Sequence, residues 1–138
     1  MTDPDLIRKK LALLETYLAE LRREANPDLL ANDLKERRFV EHTLQLAVQV
    51  CLDVAAHIVS DDRLGEPRTN HELFALLAAA HWLDAQQAST LRKMVGFRNV
   101  LVHGYAQVDL GVIEDVLRNH LEDFESFATS IRRRLPSG

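Results

Sequence analysis

Four polar residues that could take part in chemistry lie within eight positions of the chain: Arg98, Asn99, His103 and Tyr105. Arginine is the better phosphate ligand of the two long basic residues, because its planar guanidinium matches two phosphate oxygens at once. The chain contains 13 Arg and only 4 Lys. The residue types suit a local phosphate site, although an arginine on a helix is commonly a surface residue and a histidine before a glycine commonly caps a helix.

The spacing of Arg98 and His103 sets a condition on any site that they share. Five positions on an ideal α-helix correspond to a rotation of about 500°, which leaves about 140° between the two side chains. They share a face only if the helix ends or deforms at His103 and Gly104, and a glycine permits such a break. Alternatively, the two-fold axis of a dimer brings Arg98 of one copy to His103 of the other.

The elements that must position this segment are predicted to be helices. Gly and Pro together make up 9 of the 138 residues and aromatic residues 6%, which is typical of an all-α protein. Helical spacing of apolar residues and capping signals place the elements. The predicted helices run from the Asp3-Pro4 cap to about Asn26-Pro27; from near Asp28, with a pause around 34–37, and then from Arg38 to Ser60; from a cap at Thr69 or Asn70 to a corner at 81–83; from a capping box at 84–87 towards Val102; and from the Asp109 cap through Ile131.

The stretch from Arg38 to Ser60 is apolar over most of its circumference. A helix that is apolar nearly all round must be covered on most sides, and a four-helix domain covers two or three sides at best. The excess predicts a subunit interface, in a two-fold homodimer.

Length and charge restrict the class of protein. A chain of 138 residues fits a single domain, here 1–138. The net charge of −4 argues against a protein that coats nucleic acid by bulk positive charge. The lone cysteine, Cys51, excludes a disulfide framework and is expected to be a buried, inert thiol. No signal peptide is recognised, and no apolar stretch is expected to be long enough to span a membrane, so we expect a soluble, cytoplasmic protein.

The segment R-N-V-L-V-H-G-Y at 98–105 resembles the R-x4-H-x-Y motif of the HEPN superfamily, and in particular the HepT toxins of HepT–MntA toxin–antitoxin pairs. The likeness extends beyond the motif. Residues 38–47, 51–58, 67–79 and 91–105 also resemble the family, and the resemblance covers about 3–131. A bare R-x4-H is weak evidence, but the extended motif in an all-α chain of this length is specific.

The resemblance implies an all-α HEPN-type bundle of four to six helices, dimeric, with two motifs facing each other across a cleft. It also implies a metal-independent endoribonuclease acting on RNA, mRNA or tRNA, with no cofactor. Arg98 would hold the scissile phosphate and stabilise its developing charge. His103 would be the general acid or base, and Asn99 would orient the site or bond the phosphate. The product would carry a 2′,3′-cyclic phosphate.

The resemblance gives Tyr105 a second role. In HepT-like toxins this tyrosine is where the MntA-type nucleotidyltransferase antitoxin adds AMP, which would make the chain the toxin of a type VII-like pair. AMP adds bulk and negative charge beside Arg98, which would block the cleft and repel RNA phosphates. A tyrosine packed on the end of the bundle with its hydroxyl bonded is the alternative.

Polar residues also recur along the predicted second helix: Arg38, Glu41, Asp53 and His57. One interpretation is that they line the cleft and orient Arg98 or His103. The other is that Asp53 and His57, at i and i+4, form an ordinary pair within the helix.

The remaining candidates are weaker. No metal site is expected, because His42, His71, His81 and His120 lack metal-ligand spacing. Trp82 is expected in the core or an interface. The arginines at 132–134 are expected to form a solvated helix end, with phosphate attraction at the rim as an alternative.

Two other functions are consistent with the residues. The first is a catalytically silent HEPN protein that binds a nucleotidyltransferase partner, although the presence of Arg98 and His103 argues against it. The second is a structural helical dimer with no nucleic-acid role. The chain is a poor candidate for the nucleotidyltransferase itself, because it has no Gly-Ser motif with a following Asp-x-Asp.

Overall fold

A computed structural model describes residues 3–136 apart from 104–108, and for residues 102 and 103 it describes the backbone alone. The described residues form six α-helices and no strand, which confirms the predicted all-α bundle. The helices are α1 Pro4–Glu24, α2 Leu34–Asp61, α3 Asn70–Ala79, α4 Ala85–His103, α5 Leu110–Asn119 and α6 Leu121–Arg134. Their apolar faces meet in one core, where the rings of Phe74 and Phe127 pack edge to face with centroids 6.0 Å apart.

The helix starts follow from local capping chemistry. Asp3 accepts hydrogen bonds from the backbone of Asp5 and Leu6, with Pro4 at the first helical position. The predicted capping box of α4 is present in both directions: the Gln87 amide donates to Asp84 Oδ1 at 2.7 Å, and the Asp84 amide donates to Gln87 Oε1 at 3.0 Å. These starts confirm the corresponding predictions.

The second helix begins later than the sequence predicted. Pro27–Leu29 forms a short 3-10 turn rather than the start of a helical stretch. Helix α2 begins at Leu34, where Asp33 accepts from the amides of Lys35 and Glu36. The expected pause at 34–37 is therefore the first turn of α2, because the Asp33 cap starts the helix there.

Helix α2 is the central helix of the bundle. Most of its apolar residues are buried within one chain, packed against α1, α3, α4 and α6. Phe39 and Leu46 are partly buried, and Leu34 and Ala56 are exposed. The premise that a single chain could cover only two or three sides is therefore wrong, because four helices surround α2. Dimerisation stays a prediction, and this helix no longer supports it.

The expectation that no segment is long and apolar enough to cross a membrane is also wrong for α2. This helix has 28 residues and an 18-residue window with a mean hydropathy of 1.4. However, 61% of that window is buried inside the fold, and the core helix of a folded domain has the same composition.

Two helices end on residues with positive φ. Arg63 (φ 53°) follows α2 and His81 (φ 66°) follows α3. In both cases the next residue donates back to the helix, Leu64 to Val59 and Trp82 to Leu77, each at 2.9 Å. The second ending is the predicted corner at 81–83, and it turns Trp82 into the core at 6% exposure.

The predicted last helix is two helices. The chain leaves helical geometry at His120 (φ −124°, ψ 3°), between α5 and α6. His120 Nδ1 lies 2.8 Å from Asp123 Oδ2 and Nε2 lies 3.0 Å from Asp115 Oδ2. These contacts place a carboxylate from each helix on either side of the ring, and the bond to Asp123, followed by the field of Asp115, raises the pKa of His120.

The C-terminal arginines are not a uniformly solvated end. Arg132 makes a bidentate contact with Glu15 on α1, at 2.7 and 2.5 Å. Arg134 stacks on Trp82 at 4.8 Å from the ring centroid and donates to the carbonyls of Ala80 and His81. Both arginines fix the end of α6 to other elements, while Arg133 is exposed.

Candidate active site

Helix α4 carries the first half of the R-x4-H segment on well-described residues. Arg98 and Asn99 are half-buried and the next residue, Val100, is half exposed, at 50%. The described part of the helix reaches His103, and Gly104, where the sequence predicted its end, lies outside the described residues. Tyr105 also lies outside the described residues, and so does the side chain of His103. Arg98 and Asn99 are therefore the parts of the motif whose surroundings can be stated.

The guanidinium of Arg98 is held by amides. Its Nη2 donates to Gln49 Oε1 on α2 at 2.9 Å, and its Nη1 lies 3.4 Å from Asn99 Oδ1. Both acceptors are neutral, so neither cancels the positive charge of Arg98. Its Nε is buried and has no hydrogen-bond partner among the described residues. The result is an anchored cation that forms no ion pair with the described residues, which suits the binding of an anion.

The contact to Gln49 continues across the bundle. Gln49 Nε2 donates to Asp53 Oδ1 at 2.9 Å, and Asp53 Oδ2 lies 3.8 Å from Lys10 Nζ on α1. A chain of four side chains, Lys10, Asp53, Gln49 and Arg98, thus links α1, α2 and α4. We call these four residues the polar relay.

Of the four helix α2 residues predicted near the cleft, only Asp53 belongs to the polar relay. His57 is half-buried one turn after Asp53 on the same face of α2. Glu41 is also half-buried, and Arg38 is exposed. The predicted pair of Asp53 with His57 is not what the described contacts show, because Asp53 contacts Gln49 and Lys10 instead. Asp53 and His57 line a shallow surface depression of about 280 Å³ together with Ala56 and Ser60.

Gln49 and Lys10 are the residues that the sequence did not identify. The sequence did contain a signal for Gln49. It lies four positions before Asp53 in an otherwise apolar stretch, a spacing at which two side chains on a helix can form a hydrogen bond. Its partner on α4 is 49 positions away, and no local pattern connects the two. Lys10 carries no signal of its own among the charged residues of α1.

The other histidines do not build a site on the described residues. There, no three His, Cys, Asp or Glu side chains are grouped so that they could hold a metal ion. Cys51 is buried as predicted, and burial raises the pKa of its thiol, so it stays protonated.

The chain is similar to proteins of known function, both in sequence and in fold. The pattern of the Ribonuclease HepT-like family matches residues 7–131. The chain is 31% identical over 129 residues to the mRNA nuclease HepT of Shewanella oneidensis, covering 93% of this chain and 97% of that protein. It is 27% identical over 135 residues to the tRNA nuclease HepT of Aphanizomenon flos-aquae, covering 96% and 92%. A solved structure of a tri-AMPylated HEPN toxin of S. oneidensis, in complex with an MNT antitoxin, is similar with a TM-score of 0.88 and 30% identity, covering 97% of this chain and 100% of that one.

Proposed function

Because the chain belongs to the Ribonuclease HepT-like family, we propose that it is the toxin of a type VII-like toxin–antitoxin pair and a metal-independent endoribonuclease. The observation that carries the proposal is the state of Arg98. Its guanidinium is anchored by neutral amides and pairs with no carboxylate of the described residues, so its charge stays available to a phosphate. One of the relatives above is an mRNA nuclease and another is a tRNA nuclease, so the proposed substrate is RNA of one of these classes.

In the proposed reaction the ribose 2′-oxygen attacks the adjacent phosphorus. A bond forms between the 2′-oxygen and phosphorus, and the bond from phosphorus to the 5′-oxygen breaks. His103 takes the 2′-hydroxyl proton or supplies the proton to the leaving 5′-oxygen. Arg98 holds the phosphate and stabilises the charge that develops on its oxygens. The products are a 2′,3′-cyclic phosphate and a 5′-hydroxyl.

Asn99 is proposed to support Arg98. Its Oδ1 lies 3.4 Å from Arg98 Nη1, a long contact that can shorten when a phosphate binds. Its amide group also offers two donors to a phosphate. Arg38, Glu41 and His57 are proposed as accessory residues of the cleft, with Arg38 as an exposed attraction for RNA phosphates.

A second copy of the chain is part of the proposal. Arg98 and His103 are five positions apart on a helix that runs through both. A homodimer could therefore supply Arg98 from one copy and His103 from the other. The half-exposed Val100 lies on the same turn of α4 as Arg98 and is available for such an interface.

Tyr105 is proposed as the site of inactivation by an MntA-type nucleotidyltransferase. The similar S. oneidensis toxin carries three AMP groups and is bound to its MNT antitoxin. AMP on a residue seven positions from Arg98 would bring negative charge to the site of RNA binding. The proposed location of the chain is the cytoplasm, where both RNA and the antitoxin are present.

The test is RNA cleavage by protein purified without its partner. Intact mass is measured first, so that AMP additions are known. The unmodified protein is then incubated with total RNA and with tRNA in EDTA, beside His103→Ala and the control His42→Ala at an exposed position. We expect cleavage by wild type and by the control, and loss of cleavage in His103→Ala. Absence of cleavage by the unmodified wild type on both substrates would overturn the nuclease proposal in favour of a silent binding module.

A further inference from the structure

The polar relay fixes the orientation of Gln49 without ambiguity. A guanidinium can only donate hydrogen bonds and a carboxylate can only accept them. Gln49 lies between one of each, 2.9 Å from Arg98 Nη2 and 2.9 Å from Asp53 Oδ1. Its oxygen must therefore face Arg98 and its nitrogen must face Asp53. A flipped amide would lose both contacts.

Asp53 is itself held in place. Its second oxygen lies 3.8 Å from Lys10 on α1, so α1 and α2 both contribute to its position. The side chain of Arg98 has several rotatable bonds, and its terminal contact with α2 is the bond to Gln49. The orientation of the guanidinium is thus set by a residue that is too far along the chain to be part of the R-x4-H motif.

We propose that Gln49 is a positioning residue for Arg98: its amide, locked by Asp53, holds the guanidinium in the orientation that receives the scissile phosphate. This inference rests on the proposed ribonuclease function. Gln49 does not need to touch RNA, because it acts through Arg98. Orientation matters most in the transition state, where the guanidinium must follow the developing charge.

Three variants separate positioning from packing. Gln49→Met keeps the length of the side chain and removes the acceptor. Gln49→Glu keeps an acceptor oxygen towards Arg98 but replaces the amide that donates to Asp53 with a second negative charge. Gln45→Met is the matched control, since Gln45 is half-buried one turn earlier on α2 and makes no hydrogen bond with a described residue.

The readout is kcat and KM for cleavage of a short RNA by unmodified protein. Gln49→Met is expected to lower kcat about ten-fold with little change in KM, because the lost contact matters in the transition state. Gln49→Glu is expected to lower kcat at least as much as Gln49→Met, because the new carboxylate neutralises part of the Arg98 charge and is repelled by Asp53. Gln45→Met is expected to match wild type.

A second measurement does not depend on cleavage. Urea unfolding followed by Trp82 fluorescence gives the unfolding equilibrium constants of Gln49→Met, Arg98→Met and the double variant. The change in the unfolding equilibrium constant of the double variant is expected to differ about five-fold from the product of the two single changes, because the two side chains are in contact. Fully independent effects would show that Gln49 does not hold Arg98.

The outcomes distinguish the two proposals. A wild-type kcat in Gln49→Met or in Gln49→Glu, or an equal loss of kcat in Gln45→Met, overturns the positioning role and leaves the ribonuclease function standing. If unmodified wild type cuts no RNA, the ribonuclease proposal fails, and the unfolding cycle alone then decides whether Gln49 holds Arg98.

Discussion

Arg98 on α4 donates a 2.9 Å hydrogen bond to Gln49 on α2, a residue 49 positions earlier in the chain. The acceptor is a neutral amide, so the contact orients the guanidinium without cancelling its charge. The neighbouring Nε is buried and unpartnered among the described residues. A buried donor without a partner is unfavourable in the free protein.

Arg98→Lys is predicted to lower the RNA cleavage rate by about 100-fold or more, because a lysine ammonium cannot make the paired contacts of a guanidinium to phosphate. Thermal unfolding should change little, since a lysine ammonium can still donate to Gln49. Arg92→Lys, at an exposed position of the same helix, is the control and should retain full activity. A cleavage rate for Arg98→Lys close to wild type would contradict the assigned role of Arg98.

Gly96→Ala is predicted to raise the free energy of unfolding by about 0.5–1 kcal/mol, the usual gain for a glycine in a helix interior. A Cβ at this position of α4 meets no other atom within 4 Å. Gly65→Ala should do the opposite, because Gly65 has φ +142° and its Cβ would lie 3.1 Å from a methyl of Leu76. Urea unfolding of both variants checks these two predictions. A lower free energy of unfolding for Gly96→Ala would contradict the first.

Arg134→Ala is predicted to lower the free energy of unfolding by about 1 kcal/mol, through loss of the cation–π contact to Trp82 and of the bonds to the end of α3. The emission of Trp82 should shift as its ring loses this cover. Arg133→Ala removes the same charge from the adjacent exposed position and should have little effect on either measurement. Equal losses of unfolding free energy in the two variants would show that the lost charge, and not the contact with Trp82, is responsible.

The stability that His120 contributes is predicted to fall as pH rises. The hydrogen bond to Asp123 and the field of Asp115 raise the pKa of His120 in the folded protein. A raised folded pKa means that the contribution is fully present below the unfolded value of about 6.5 and is lost as pH rises through the folded value. The difference in Tm between wild type and His120→Gln should be largest below about pH 6.5 and should narrow above it.

The control for this pH dependence is His42→Gln. His42 is exposed, so this variant should follow the wild-type Tm across the same pH range. A Tm difference for His120→Gln that is constant with pH would show that the two carboxylates do not bind the charged ring.

The family resemblance was available from the sequence, because it depends on residue types at short spacing. It is confirmed by the family match over 7–131. The extended motif from Arg98 to Tyr105 is the most specific part of the resemblance, and the segments 38–47, 51–58 and 67–79 add to it. The roles of Arg98, His103, Asn99 and Tyr105 in the reaction stay predictions, and the side chains of His103 and Tyr105 lie outside the described residues.

The sequence by itself determined the helices and most of their starts, because a cap such as Asp3 or the Asp84–Gln87 box acts within three residues. Tertiary structure decided the features that join distant segments. It fixed the cover of α2 by four other helices and the bond from Gln49 to Arg98. These depend on which surfaces meet when the chain folds, and the free energy of that packing is shared among residues far apart in sequence. Periodicity reports the apolar face of each helix but does not identify the helix that covers it.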